Sequence, residues 1–326
     1  VRMVSPAGCV LLASALFGSA GLAVRLAEDA SAASIGLGRI VVGGLVLAFL
    51  ARARLAGELR AHWRSPGRRG VLAASVCAMI AYQPLFFFGV QRNGAAMATV
   101  LALGSAPVFA GALQVVSARW RPSGSWVLWT GGAVTGLALS TGVVTDLGQL
   151  DAAATMASLA AGAAFAGYAT GGAHLIRHGG TAATTMTLLV VGAAGMAAPW
   201  WLTTDLNWVL TPGGAAGLLW VGIVTTAAGN LLLGRSLAGM APARVATLTL
   251  AEPLTAVALG VVVLGERLGP GEILGCVVLM CCLVGQATGQ ESRERRPIDW
   301  RPVEAPTPAP SRSSSRPRRA RAAALD

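Results

Sequence analysis

Between residues 8 and 288 the chain is a succession of apolar stretches of membrane-spanning length separated by short polar connectors. A helix needs about 17 to 25 mainly apolar residues to cross a bilayer, and stretches of that kind fall at 8–27, 32–51, 70–90, 94–117, 125–143, 153–174, 182–202, 213–234, 242–264 and 271–288. The expected fold is an all-α polytopic membrane protein with ten transmembrane helices. Composition agrees: 54% of residues are hydrophobic and 12% are charged, against roughly 25% charged in soluble proteins. The 42 glycines suit tightly packed membrane helices, where small residues let backbones approach. Arg2 and the apolar run from Gly8 to Leu26 imitate a signal peptide, but the pattern resumes at once, so the run is read as the first span.

Charge placement orients the bundle. With the N-terminus inside, 21 arginines lie on the inner side, including Arg52, Arg54, Arg60, Arg64, Arg68 and Arg69 in the second connector, and only Arg25, Arg92 and Arg267 lie outside. The outer side collects Glu28, Asp29, Asp146, Asp151, Asp205, Glu266 and Glu272. Both termini are therefore expected in the cytoplasm. Trp120 and Trp126 fit an inner aromatic belt, and Trp200, Trp201 and Trp208 an outer one. Residues 289–326, rich in Arg, Pro and Ser, are read as a disordered cytoplasmic tail, with nine arginines against five acids. Its plain role is a solvated topogenic tail; the sharper one is contact with anionic lipid. Nucleic acid is not an expected partner, because the basic excess is the positive-inside bias of a membrane protein.

Every basic residue of the Lys/Arg class is arginine, and the net charge is +11. A chain without lysine has no Walker-type phosphate loop, kinase lysine or pyridoxal Schiff base, which excludes a conventional ATP-driven pump and pyridoxal chemistry. Cys9, Cys77, Cys276, Cys281 and Cys282 lie in apolar stretches without metal-ligand spacing and are read as small packing residues. His62, His174 and His178 fall near helix ends or in loops, where a solvated or interfacial histidine is expected. No metal and no cofactor is expected.

Ten spans divide into two sets of five, and an odd number per set places the halves in opposite orientations. The expected units are 1–143, 144–288 and the tail at 289–326. Pro107 in the fourth span and Pro253 in the ninth mark corresponding positions, and the same offset matches Pro84 with Asn230. A mid-span proline removes a backbone hydrogen bond and kinks the helix, so Pro84, Pro107 and Pro253 are candidate kinks.

The segment Gly234–Gln286 contains Glu252-Pro253 in the ninth span, the turn Leu264-Gly265-Glu266-Arg267-Leu268, and Gly275 in the tenth span. It resembles the C-terminal repeat of the EamA-type family in the drug/metabolite transporter superfamily. Gly38-Arg39-Ile40 and the run Leu103-Gly104-Ser105-Ala106-Pro107-Val108-Phe109 resemble the matching first repeat. The resemblance covers residues 8–288, with one departure: Ser117-Ala118-Arg119-Trp120-Arg121 lacks the glutamate usual in the corresponding turn. It implies two inverted five-helix repeats, cytoplasmic termini, a central cavity and secondary transport, usually export of small metabolites.

Glu252 is the acid placed near the bilayer midplane, where burial of a carboxylate costs roughly 2.5–3.5 kcal/mol. Two readings stand, a proton carrier and a protonated structural glutamate beside Pro253. Arg39 either snorkels or faces the bundle to pair with Glu252 or with a substrate carboxylate; the flanking Gly36, Gly38, Gly43 and Gly44 favour the bundle. Tyr82, Gln83, Thr225, Thr226 and Asn230 occupy mid-span positions suited to cavity lining or to interhelical hydrogen bonds. Gly132-x-x-x-Gly136 and Gly271-x-x-x-Gly275 permit close helix packing.

The reading that follows is a secondary active transporter, not an enzyme, exporting a small polar or amphipathic metabolite, amino acid-like or drug-like, by alternating access with proton coupling. Its partners are the small-molecule substrate and the lipid bilayer. The alternatives are an importer of the same fold, a polytopic membrane enzyme, for which the spans offer no paired aspartates or Ser/His dyad, and a non-transporting partner protein. Arginine-only basicity and the Ala/Gly bias fit a GC-rich bacterial genome, which places the protein in the plasma membrane.

Overall fold

The computed structural model describes residues 4–27, 30–117, 121–143 and 150–288, and these are helical with connecting turns and no strand. The tail at 289–326 lies outside the described residues, as do Glu28, Asp29, Arg119, Trp120 and Asp146. Eight described segments are long and apolar enough to cross a membrane. In order the helices are α1 (Pro6–Gly18), α2 (Ala20–Val24), α3 (Ala32–Trp63), α4 (Pro66–Val116), α5 (Gly124–Ser140), α6 (Ala152–Arg177), α7 (Ala182–Trp201), α8 (Pro212–Leu219), α9 (Gly229–Gly239), α10 (Pro242–Leu248), α11 (Ala251–Leu264) and α12 (Pro270–Thr288). A π-helical stretch, Trp220–Ala228, joins α8 to α9.

Small hydroxyl and carboxylate side chains start several of these helices. Ser31, Ser123 and Thr181 accept the backbone N–H three residues on, and Asp151 accepts from Ala154 at 2.8 Å. Each satisfies one of the orphan donors of a first turn. At the other end of α11, Gly265 takes the left-handed conformation at φ +69°, and Glu266 N–H returns to the Gly260 carbonyl at 3.1 Å. The Leu264–Leu268 motif is thus a helix stop, and its glutamate pairs with Arg25 at 3.1 Å.

Two boundaries differ from the sequence expectation. Helix α3 continues to Trp63, so Arg52, Arg54 and Arg60 ride on a helix rather than a connector. Hydropathy falls after residue 51, but Ala, Arg, Leu and Glu are all good helix formers, so the helix does not stop with the apolar run. The third and fourth spans are merged in α4, interrupted at Gly94 with φ +82° and ψ 158°. At about 1.5 Å per residue, an unbroken helix of this length would exceed twice the ~30 Å hydrocarbon thickness, so the interruption matters.

Helices from the two ends of the sequence interleave. Helix α4 packs chiefly on α6, α3 on α7, α5 on α12, and α1 on α9 and α11. Glycines allow these approaches: a Cβ on Gly43 would lie 2.9 Å from the Gly222 carbonyl oxygen, and one on Gly136 2.5 Å from the Leu279 nitrogen. Buried polar links cross the interfaces, with Thr130 and Thr247 hydroxyls 2.9 Å apart and Gln114 Oε1 accepting from Ala243 N–H at 3.0 Å.

Some placements correct the sequence reading. Trp208 is not a belt residue: it is buried, and its Nε1 donates to Ser34 Oγ at 3.0 Å, whereas Trp200 is exposed. His62 is not solvated. It is 1% exposed, 3.7 Å from Glu58, because Glu58 folds back to accept from Thr181 N–H and Thr185 Oγ1 and draws this end of α3 onto α7. Cys77 and Cys281 are exposed on the bundle surface, while Cys9 and Cys282 are buried.

Candidate functional site

A central cavity of about 80 Å³ is lined by Arg39, Tyr82, Gln83, Thr226, Asn230 and Glu252, together with Phe17, Ile40, Met79, Leu103, Phe165 and Tyr168. It draws on α1, α3, α4, α6, the π-helical stretch, α9 and α11, so residues far apart in sequence meet there.

The polar wall begins with an irregular helix. Within Trp220–Ala228, Thr225 and Thr226 both donate to the Val221 carbonyl, at 2.6 and 2.8 Å. The wider π turn brings two consecutive hydroxyls to one side, and such turns recur at functional sites. Both hydroxyls accept from Arg39: Nε donates to Thr226 Oγ1 and Nη2 to Thr225 Oγ1, each at 3.1 Å. Arg39 therefore faces the bundle. Thr225 is fully buried behind the cavity wall and acts on it through this bond.

One turn on, Asn230 is 5% exposed. Its Nδ2 donates to the Thr226 carbonyl at 2.8 Å, and its Oδ1 has no hydrogen-bond partner. No protein group donates to this acceptor, so it is left to a water or a solute in the cavity.

Glu252 enters from a second discontinuity. Helix α10 ends at Leu248 and α11 begins at Ala251, with Thr249 and Leu250 between them. Pro253 has no N–H to give the Thr249 carbonyl, and Glu252 N–H takes that acceptor instead at 2.9 Å. Glu252 thus occupies the first turn of α11, in a broken span of the kind that builds transporter sites. Arg39 and Glu252 line the same cavity and form no ion pair with each other.

The remaining wall is aromatic. Tyr82 stacks on Phe86 with centroids 5.8 Å apart, and Phe165 meets Tyr168 edge-on at 5.1 Å and Tyr82 at 6.4 Å. Both tyrosines of the chain line this cavity. Phe165 and Tyr168 were missed by the sequence reading, although their i, i+3 spacing puts them on one face of an Ala/Gly-rich span. Of the candidate kinks, Pro84 is exposed within helical α4, Pro107 is buried there, and Pro253 sits in the first turn of α11. Pro107 cannot donate to the carbonyl four residues back, that of cavity-lining Leu103. The non-helical backbone of α4 falls at Gly94.

Away from the cavity lining, Arg25 pairs with Glu266 at 3.1 Å and Arg92 with Asp151 at 3.5 Å. Both pairs are substantially exposed.

Comparison with known proteins agrees with this architecture. The profile of the EamA-like transporter family matches twice, at residues 5–142 and 153–285. The uncharacterized transporter YwfM of Bacillus subtilis (strain 168) is 35% identical over 277 residues, covering 84% of this chain and 91% of that protein. A solved crystal structure with 16% sequence identity superposes with a TM-score of 0.71 over 89% of this chain and 98% of its own, which shows a shared fold. The chain therefore belongs to the EamA-like transporter family, as a multi-pass membrane protein.

Proposed function

We propose that the protein is a secondary active transporter that exports a small polar or amphipathic metabolite, amino acid-like or drug-like, by alternating access and in exchange for protons. The observation that carries this reading is the placement of Arg39 and Glu252 around one cavity, unpaired with each other, beside two interrupted helices. Arg39 offers a solute carboxylate its remaining N–H donors, Glu252 and Asn230 Oδ1 offer acceptors to an ammonium or hydroxyl, and the aromatic wall offers faces to an apolar portion. At about 80 Å³ the cavity admits a few waters, so a metabolite enters only when the halves move apart. That motion is alternating access. Glu252 in this reading loads a proton from one side and releases it to the other.

The reading counts ten spans, with α4 divided at Gly94 and α5 spanning although it is 17 residues long. It takes 1–143 and 144–288 as inverted repeats, which the interleaved packing of the two ends of the chain supports. The inner side is cytoplasmic and the membrane a bacterial plasma membrane, with both termini cytoplasmic and the tail free to touch anionic lipid; the arginine asymmetry supports this orientation.

The test is metabolite profiling of medium and cytoplasm in cells carrying the intact protein, Glu252→Gln or an empty vector. A defined set of compounds should move to the medium with the intact protein alone. Movement equal in both variants removes Glu252 from the mechanism, and no redistribution despite membrane insertion removes export.

A further inference from the structure

A second cavity, of about 320 Å³, opens on the bundle surface between α3, α4 and α7. Its walls are apolar: Leu59 and Trp63 on α3, Leu72 and Val76 on α4, and Leu188 and Met196 on α7 are representative. Leu59, Trp63 and Met196 are exposed. The crevice begins where α3 gives way to α4, at the arginine-rich end of both helices, and runs along α7 toward the middle of that span.

We infer that this crevice binds one anionic diacyl phospholipid, with an acyl chain in the groove and the phosphate held by Arg60 and Arg69. Arg69 lies three, four and seven residues before Leu72, Ala73 and Val76, so it shares the α4 face that forms the groove wall. Arg60 lies one turn before Trp63 on α3. Both arginines are exposed, and neither has an ion pair or hydrogen bond among the described residues. Of the other arginines at this end, Arg52 donates to the Phe49 carbonyl and lies over its ring and Arg68 donates to the His178 carbonyl, whereas Arg54 and Arg64 are exposed and, like Arg60 and Arg69, make no side-chain hydrogen bond or ion pair among the described residues. Exposed, unpaired arginines on the helix ends that flank an apolar slot match a phosphate at the head of a hydrocarbon chain. Trp63, more than half exposed on the groove wall, suits the headgroup level. The other occupants fit less well. The chain's own tail brings nine arginines to a cationic mouth, and a second copy brings the same arginines again.

The full-length protein in detergent, examined by native mass spectrometry with phosphatidylglycerol or with phosphatidylcholine of the same acyl chains, tests this. Intact protein should retain one phosphatidylglycerol under conditions that strip phosphatidylcholine. The paired variant Arg60→Gln/Arg69→Gln should lower that retention by roughly tenfold or more, as loss of two surface arginines implies. The charge-matched variant Arg52→Gln/Arg54→Gln should retain the lipid. Ala73→Phe, which fills the groove and leaves the arginines, should lose it. Because Arg60 and Arg69 are exposed, the paired variant keeps the fold, checked by elution position, even if Ala73→Phe does not. Equal retention of both lipids, or retention unchanged in Arg60→Gln/Arg69→Gln, overturns the inference.

Discussion

Arg39 and Glu252 line one cavity from α3 and α11, yet the guanidinium is bound to the hydroxyls of Thr225 and Thr226 and makes no ion pair with the carboxylate. An arginine collapsed onto the glutamate would cancel both charges. Held by two neutral acceptors, it keeps its charge and its remaining donors in a fixed direction, which is the arrangement a recognition site requires.

The two-point attachment of Arg39 makes its replacement by lysine severe. A lysine retains the charge but cannot span two hydroxyls with a rigid fork. Arg39→Lys is expected to lower transport by about tenfold or more, close to Arg39→Gln, in a cell-based export assay. Thr226→Val should weaken transport less, and the double variant Arg39→Lys/Thr226→Val should show a coupling of about 0.5–1.5 kcal/mol in thermal unfolding.

Much of this site was legible in the sequence because polar residues are scarce inside membrane spans. Arg39, Tyr82, Gln83, Thr226, Asn230 and Glu252 stood out against Ala, Gly, Leu and Val, and all six line the cavity. The reason for their convergence was not legible. It depends on the π-helical stretch at Trp220–Ala228, which has no residue signature, and on which helices interleave, which hydropathy does not encode. The non-helical backbone of α4 was not legible either: it sits at Gly94, whose conformation only glycine adopts readily. His62 misled, because position near a helix end says little about burial once Glu58 binds the start of α7.

Glu252 gives a prediction in proton flux. If the carboxyl carries a proton inward as solute moves out, acidifying the outside accelerates export in the intact protein. Glu252→Gln carries no exchangeable carboxyl proton and should lose that acceleration, with net export falling by about tenfold or more. Export measured at two external pH values with the internal pH clamped separates the cases. A Glu252→Gln protein that keeps the acceleration refutes the carrier role.

Asn230 offers a test that distinguishes binding from stability. Its Oδ1 has no partner within the protein, so the fold draws no intramolecular hydrogen bond from that atom. Asn230→Leu removes the orphan acceptor together with the Nδ2 bond to Thr226, and the two effects oppose each other. Thermal stability should change by no more than about 1 kcal/mol, while transport falls severalfold. A loss of several kcal/mol with transport retained would mark Asn230 as structural.

The two glycines of Gly271-x-x-x-Gly275 should behave oppositely, although the motif treats them alike. A Cβ on Gly275 meets the backbone of Leu139 and Ser140, where α12 lies against α5, and the reciprocal contact is made by Gly136 against Leu279. Backbone cannot yield as a side-chain tip does, so Gly275→Leu must separate the two helices. Gly271 has open space around its Cβ position. We expect Gly275→Leu to cost several kcal/mol, at the level of severe overpacking, and to lower the yield of monodisperse protein. Gly271→Leu should leave thermal stability within about 0.5 kcal/mol of the native protein, as a substitution facing open space does. Unfolding temperatures of both variants in the same detergent decide between this geometry and a face in which both glycines pack. Equal losses would mean that α12 meets α5 through a different register.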